Sequence, residues 1–427
     1  MNRTSVVKLG RNRGKPRIWI EGKYLESLGF SPGTKLLVEM GNGRVDVSVS
    51  PVGTKVVSSR RGKAIIDIEN SRLAEALENA EKVQIESKAG KIVITPAKVE
   101  QARKSRKSDG TMGSIFSGGG LLDEAGKQAG YTSSFGLELD PDFADVWQAN
   151  HKGHMFQGSI DEIPLARIPH VDLLVGGIPC EPFSHARRNT GNTKTTVKPE
   201  EHPLADLSIF ALMVARSANP RNIVLEEAPA YAESPIGIVT MSALRRMGYT
   251  VESRLVDGTD YGSLSVRRRT VIVARTESGP IPWPQKVPQT RKLGELLLPP
   301  DDPRCEWWDR TTKPWFWEHR EKHDERGNNF AAPILTPETI EVPAITKRYF
   351  NGQGGLSVVA HPNIPETFRW LTVHEVKSLM GLPSTYLLPD AKTVAGNIMG
   401  QGVLVDVFTR IILAVAPFAG SQVREAA

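Results

Sequence analysis

The chain has 427 residues, 39% of them hydrophobic, enough for two or three domains with ordinary cores. Its apolar runs are shorter than the roughly eighteen residues of a bilayer-crossing helix, and Met1 to Lys8 lack the apolar core of a secretion signal, so a cytoplasmic protein with no membrane partner is expected. Two cysteines, Cys180 and Cys305, exclude a disulfide framework and a cysteine-based zinc site, and no metal is expected.

The net charge of +6 is unevenly spread. Residues 1–109 carry 22 Lys+Arg against 12 Asp+Glu, and the remainder carries 32 against 36. A basic arm before a near-neutral body suggests a polyanionic partner, although clustered basic residues also serve as a solvated face.

The arm contains a repeat. Gly14 to Glu21 aligns with Gly62 to Glu69 at an offset of 48, and Glu39 to Val47 aligns with Glu86 to Ile94 at 47. Each unit reads as a strand, a short helical segment and a β-hairpin turning at Gly41-Asn42-Gly43 or Ala89-Gly90. Two such units can pair into one small barrel that hides their strand edges. Ile18 to Val49, with Ile20-Glu21-Gly22-Lys23-Tyr24-Leu25 and Phe30-Ser31-Pro32-Gly33-Thr34, resembles the AbrB-type swapped-hairpin domain, in particular its SymE-like branch. The resemblance implies a tandem, β-rich module over 1–98, either DNA-binding or dimerising. Residues 99–112, with Lys104-Ser105-Arg106-Lys107, read as a flexible basic linker.

From about Gly113 strands alternate with helices, the pattern of an α/β domain. Ile115 ends a strand, and Phe116-Ser117-Gly118-Gly119-Gly120 makes a glycine turn into a helix, where a nucleoside-type cofactor can approach the backbone. Eighteen residues past Gly120, Glu138 ends the next strand, placed to accept from ribose hydroxyls. Val171 to Val175 reads as a buried parallel strand, so Gly176-Gly177-Ile178-Pro179-Cys180 presents a thiol just beyond its carboxyl end. A lone cysteine is more often a small buried hydrophobe. The stiff Gly/Pro loop, Glu226 at the end of another strand, and Arg267 and Arg269 before the strand from Thr270 favour a reactive thiol. If the arginines lie in a strand, Arg267 and Arg269 share one face and Arg268 takes the other.

These motifs, in this order, resemble those of the DNA (cytosine-5) methyltransferases over roughly residues 113–417. Phe116 to Gly120 matches the family's S-adenosyl-L-methionine (AdoMet) glycine motif, Glu138 its ribose-binding acid, and Pro179-Cys180 its catalytic Pro-Cys. Glu226 matches the Glu of Glu-Asn-Val, and Arg267 with Arg269 the Gln-x-Arg-x-Arg motif. Arg369 to Pro383 and Met399 to Val405 are similar to the last two motifs. The resemblance implies a Rossmann-like catalytic domain over 113–276 and 367–427, with a small target-recognition domain over 277–366. It assigns catalysis to Cys180, Glu226 and Arg267. Cofactor binding falls to Phe116, Ser117, Gly118, Gly119, Gly120, Glu138, Leu139, Ser159, Ile160, Pro179, Leu207, Gln401 and Val403. Arg269, Lys347 and Arg348 are expected at DNA. The tryptophans of the 277–366 interval are expected in its core more than at bases.

Four positions depart from the family pattern: Ser159 stands for Asp, Glu227 for Asn, Ser265 for Gln and Gln401 for Asn. None touches Cys180, Glu226 or Arg267, so an active enzyme is expected. The implied reaction adds the Cys180 thiolate to C6 of a flipped cytosine, activating C5 toward the methyl of AdoMet. Double-stranded DNA is the expected partner, with a restriction or host-modification role and a possible cognate endonuclease. Two other readings stay open: a transcriptional regulator acting through the N-terminal repeat, and an RNA cytosine-5 methyltransferase.

Overall fold

A computed structural model of the protein describes residues 3–97, 108–179, 204, 206–325, 332–351 and 356–417. The chain divides into two compact units, Met1–Gln101 and Ala102–Ala427.

The first unit holds β1 (Arg3–Lys8), β2 (Gly10–Asn12), β3 (Lys15–Glu21), α1 (Tyr24–Ser27), β4 (Lys35–Gly41) and β5 (Arg44–Val49). It then repeats itself as β6 (Lys55–Val56), β7 (Ser58–Arg60), β8 (Lys63–Glu69), α2 (Leu73–Ala76), β9 (Lys82–Lys88) and β10 (Lys91–Pro96). The expected hairpins turn at Asn42-Gly43 and Ala89-Gly90, where Asn42, Gly43 and Gly90 take positive φ. The repeats interleave: β1 pairs with β9, β6 with β4, β3 with β8 and β5 with β10. Neither repeat can close alone, because its alternating apolar residues meet those of the other. Ile18, Ile20, Val45, Ile66, Ile68, Ile92 and Ile94 share one buried cluster with Leu25, Phe30 and Leu73.

The second unit begins earlier than the sequence suggested. Buried Asp172 accepts bonds from the Ser108 hydroxyl and the Asp109 and Gly110 amides, at 2.6 to 2.8 Å. Residues 108–112 therefore belong to this unit rather than to a linker. Its first half runs β11 (Thr111–Ile115), α3 (Leu121–Gln128), β12 (Thr132–Glu138), α4 (Pro141–Asn150), β13 (His154–Gln157) and β14 (Leu173–Gly177). It continues with α5 (Leu207–Ala218), β15 (Asn222–Glu227), α6 (Pro235–Arg246), β16 (Thr250–Asp257), β17 (Ser265–Val266) and β18 (Arg268–Arg275). Seven strands form one sheet in the order β13-β12-β11-β14-β15-β18-β16. The first five are parallel, and β18 runs antiparallel to both its neighbours. Alternate strand residues feed opposite faces. Val175, Val224 and Val273 join one core with α3 and the C-terminal helices; Leu174, Ile223 and Ile272 join another with α5 and α6.

Beyond the sheet lie α7 (Pro314–Glu325), β19 (Ile334–Leu335), β20 (Val342–Pro343), β21 (Val358–Ala360), β22 (Phe368–Arg369), α8 (Val373–Leu379), α9 (Lys392–Gln401) and α10 (Val405–Val415). Trp308, Phe316 and Trp317 pack with Phe368 and Trp370, a core role for these rings, as expected. Ile281, Leu293, Leu335 and Ile345 share the large core with α8, α9 and α10, so the 277–366 interval is built onto the catalytic unit. Lys392–Val415 is long and apolar enough to cross a membrane, but it breaks into α9 and α10 at Gly402 to Leu404 and is mostly buried in the protein, the pattern of core helices.

Arg369 and Glu375 form a bidentate pair at 2.7 Å with side chains 2% and 0% exposed. Glu375 also accepts from the amides of Leu298 and Thr372, tying the variable interval to the start of α8. Removing one member strands the other charge, so Glu375→Ala is expected to lower stability by about 3–5 kcal/mol, measured by urea unfolding of the full chain.

Candidate active site

Five parallel strands place their carboxyl ends on one rim, so residues far apart in sequence collect there. The turn after β11 is built for close backbone approach. Phe116, Gly118 and Gly120 have φ of 51°, 55° and 89°, the left-handed region that costs an aromatic residue most. A side chain at Gly119 would strike Ile398 of α9, and one at Gly120 would strike His151. Gly118 has open space before it.

Beneath the turn lies a hydroxyl network. Ser114 Oγ meets Ser117 Oγ at 2.7 Å and Asp123 Oδ1 at 2.9 Å, and Ser133 reaches Asp123 at 3.2 Å. The Ser117 hydroxyl accepts from the Leu137 amide at 2.9 Å, locking the turn to the end of β12. There Glu138 accepts from the amides of Gly118, Leu139 and Asp140 at 2.6 to 2.9 Å. Burial nonetheless raises the Glu138 carboxyl above its ordinary value. Leu139 beside it is 65% exposed, an uncovered apolar surface. After β13, Gly158 donates to the Glu138 carbonyl at 2.9 Å, Ser159 bonds Asp161, and Ile160 is buried.

At the rim's other half, Gly177 of β14 is paired in register with Glu226 of β15. Ile178 is buried and Pro179 follows; Cys180 itself lies outside the described residues. Cys305 is buried, its thiol directed to the Pro299 carbonyl at 3.6 Å and its pKa raised by burial, the environment of an inert cysteine. Leu207 is the first residue of α5.

The three arginines take three different partners. Glu226 forms its ion pair with Arg269. Arg267 instead is 5% exposed, with its guanidinium donating to the carbonyls of Ile345 (3.1 Å), Gly400 (3.1 Å) and Gly402 (2.6 Å). Arg268 pairs with Asp257 at 2.7 Å. Strand alternation fails because Arg267 falls between β17 and β18, where its amide bonds back to the Ser265 carbonyl. Of the two arginines it is therefore Arg269 that meets Glu226, while the Arg267 guanidinium is engaged by backbone carbonyls.

The C-terminal motif returns to the glycine turn. Gly402 packs on Leu121, Val403 is buried and Gln401 is exposed. Tyr386, which no sequence motif marked, donates its hydroxyl to the Gly119 carbonyl. Lys347 and Arg348 are exposed on a loop whose backbone presses against Gly400 of α9. Gly352 to Gly355 lie outside the described residues.

An α/β unit with a glycine turn, a strand-end acid and an acid–guanidinium pair on one rim has the arrangement of a nucleoside-cofactor enzyme. A profile of the C-5 cytosine-specific DNA methylases matches residues 110–416, and the chain belongs to that family. It is 25% identical over 308 residues to the type II methyltransferase M.DsaV of Dactylococcopsis salina, covering 70% of this chain and 83% of that protein. It is 26% identical over 285 residues to M.NlaX of Neisseria lactamica, covering 65% and 86%. The solved Entamoeba histolytica methyltransferase EhMeth shares the fold, with a TM-score of 0.58 over 73% of this chain and 98% of its own, at 15% identity. The enzyme is a DNA cytosine-5 methyltransferase.

Two outcomes are expected. Arg267→Ala lowers stability by about 3 kcal/mol through its orphaned carbonyls, whereas Arg269→Ala abolishes methyl transfer with little change in Tm; thermal melts and transfer assays on both variants check this. Burial pushes the Asp123 carboxyl up to about 7. The folded state then binds more protons than the unfolded one above about pH 4, so this group's contribution to stability falls as pH rises to about 7. The Tm of Asp123→Asn relative to wild type is expected to rise between about pH 5 and about pH 8.

Proposed function

We propose that the enzyme methylates C5 of a cytosine flipped out of duplex DNA, with Cys180 as nucleophile and AdoMet as methyl donor. The observation that carries this reading is the Glu226–Arg269 pair, set in register beside the strand that leads into Pro179-Cys180. The residues at the glycine turn fit the donor. Glu138 offers a carboxylate for the ribose diol, Leu139 an exposed apolar surface for the purine, and Gly118 an uncovered backbone. When bound there, AdoMet supplies an electrophilic methyl group on a sulfonium.

The sulfur of Cys180 adds to C6, which breaks the ring's aromaticity and makes C5 nucleophilic. Glu226 shares a proton with ring N3 as charge develops, and Arg269, in place of Arg267, orients both Glu226 and the base oxygen O2. Once C5 has taken the methyl group, loss of its proton re-forms the C5–C6 double bond and expels the sulfur. Flipping costs roughly a few kcal/mol, which contacts to the duplex must offset, and the exposed Lys347 and Arg348 would supply some of them. Similarity to type II enzymes supports a restriction-modification role with a cognate endonuclease.

The first unit supports a second, compatible reading as a duplex-binding arm. Arg13-Gly14-Lys15 and Arg61-Gly62-Lys63 occupy equivalent hairpin tips, exposed at opposite ends of the β3–β8 pair. Such tips suit phosphate contacts.

Bisulfite sequencing of DNA from cells expressing the protein is expected to show methylated cytosines in one sequence context. Cys180→Ser should abolish them while leaving AdoMet binding within about twofold by calorimetry. Changing Arg13, Lys15, Arg61 and Lys63 together to Ala is expected to weaken binding to unrelated duplex. The slope of log K against log salt should flatten by about 0.9 for each phosphate that the variant no longer neutralises.

A further inference from the structure

Glu227 ends β15, is fully buried, and has no group in hydrogen-bonding geometry with either carboxyl oxygen among the described residues. As the next residue along the strand, it turns to the face opposite Glu226. Its surroundings are specific. The amides of Ile178, leaving β14, and of Ala228, leaving β15, face its carboxyl. The nearby charges are Glu226 on its own strand and Arg269 on β18, whose guanidinium Glu226 engages. On the loop after β15 stands the Tyr231 hydroxyl, bonded to Ser208 of α5 at 2.8 Å and Thr240 of α6 at 3.1 Å.

A carboxylate here would be stripped of water beside a second carboxylate, with the local guanidinium already engaged. Burial first, then repulsion from Glu226, raises the Glu227 pKa well above the ordinary carboxyl range. A neutral acid also suits the position chemically. Its carbonyl oxygen can accept from the facing amides without a charge, as can that of the carboxamide that the methyltransferase pattern places there. The β14–β15 ladder ends at Gly177 and Glu226, so the Ile178 and Ala228 amides are the first beyond it. Glu227 faces both, two residues before Cys180.

We propose that Glu227 is a positioning residue that works as a neutral carboxylic acid. It closes the open end of the β14–β15 pair and fixes the line along which Ile178 and Pro179 leave the sheet toward Cys180. This rests on the reading of Cys180 as the nucleophile. Ionisation of Glu227 sets a second, water-stripped charge against Glu226, so it places an alkaline limit on methyl transfer.

The test compares wild type, Glu227→Gln and Glu227→Ala, assaying transfer of labelled methyl from AdoMet to the duplex that bisulfite sequencing identifies, between about pH 6 and about pH 9.5, with thermal melts over the same range. Glu227→Ala is expected to lose about tenfold or more in kcat, with KM for AdoMet within about twofold. Glu227→Gln should restore transfer and hold it to higher pH than wild type. The folded-state pKa is raised, so wild type loses stability as pH rises toward it, and the Tm advantage of Glu227→Gln should widen with pH. Superimposable pH–rate profiles for wild type and Glu227→Gln, or an Ala variant as active as wild type, overturn the proposal. A Tm difference independent of pH overturns the neutral-acid state even if the Ala variant does not fold. A wild type that transfers no methyl at any pH, with the Tm difference still widening, sinks the Cys180 reading while supporting the neutral acid.

Discussion

One guanidinium holds three parts of the catalytic unit in place. Arg267 lies between two strands, and its three carbonyl partners come from Ile345 in the variable interval and from Gly400 and Gly402 at the end of α9. Each bond joins a full positive charge to a backbone acceptor away from water, where such bonds are strongest. The same tie brings Gly402 against Leu121 and Ile398 against Gly119, so the glycine turn is shaped partly by a segment nearly three hundred residues later. With Arg267 committed to architecture, Arg269 is the member of the run that meets Glu226.

The catalytic unit buries several ionisable side chains. Arg369 and Glu375 neutralise one another, and Glu375 spends its remaining acceptor capacity on the amides of Leu298 and Thr372. Among the described residues Asp123 and Glu227 have no cation of their own, and burial favours their neutral forms. A protonated carboxyl can donate as well as accept, so it can fix backbone and hydroxyl groups in one arrangement. Rigidity below the rim matters because reacting groups must be aligned within a fraction of an ångström.

The first unit solves a different problem. Each repeat makes its own hairpins but leaves strand edges that the other repeat pairs, and the two interleave until the apolar faces close on one another. Its basic residues are left outside, as they must be when no buried partner compensates a charge.

Local chemistry wrote much of this in the sequence. Glycine spacing, strand-length apolar runs and the acids that end them announced the turn at Phe116 to Gly120, Glu138, Glu226 and the β14 exit, because each depends on neighbours within a few residues. The Asn42-Gly43 and Ala89-Gly90 hairpins were legible for the same reason. Packing decided the rest. Three consecutive arginines look interchangeable in a linear chain, and only the break between β17 and β18 assigned one to backbone carbonyls, one to Asp257 and one to Glu226. Tyr386 reaching Gly119, Asp172 claiming residues 108–110 and the burial of Glu227 likewise depend on segments distant in sequence. Periodicity reports which residues share a face; which partner waits there, and whether water can reach it, is fixed only when the layers close.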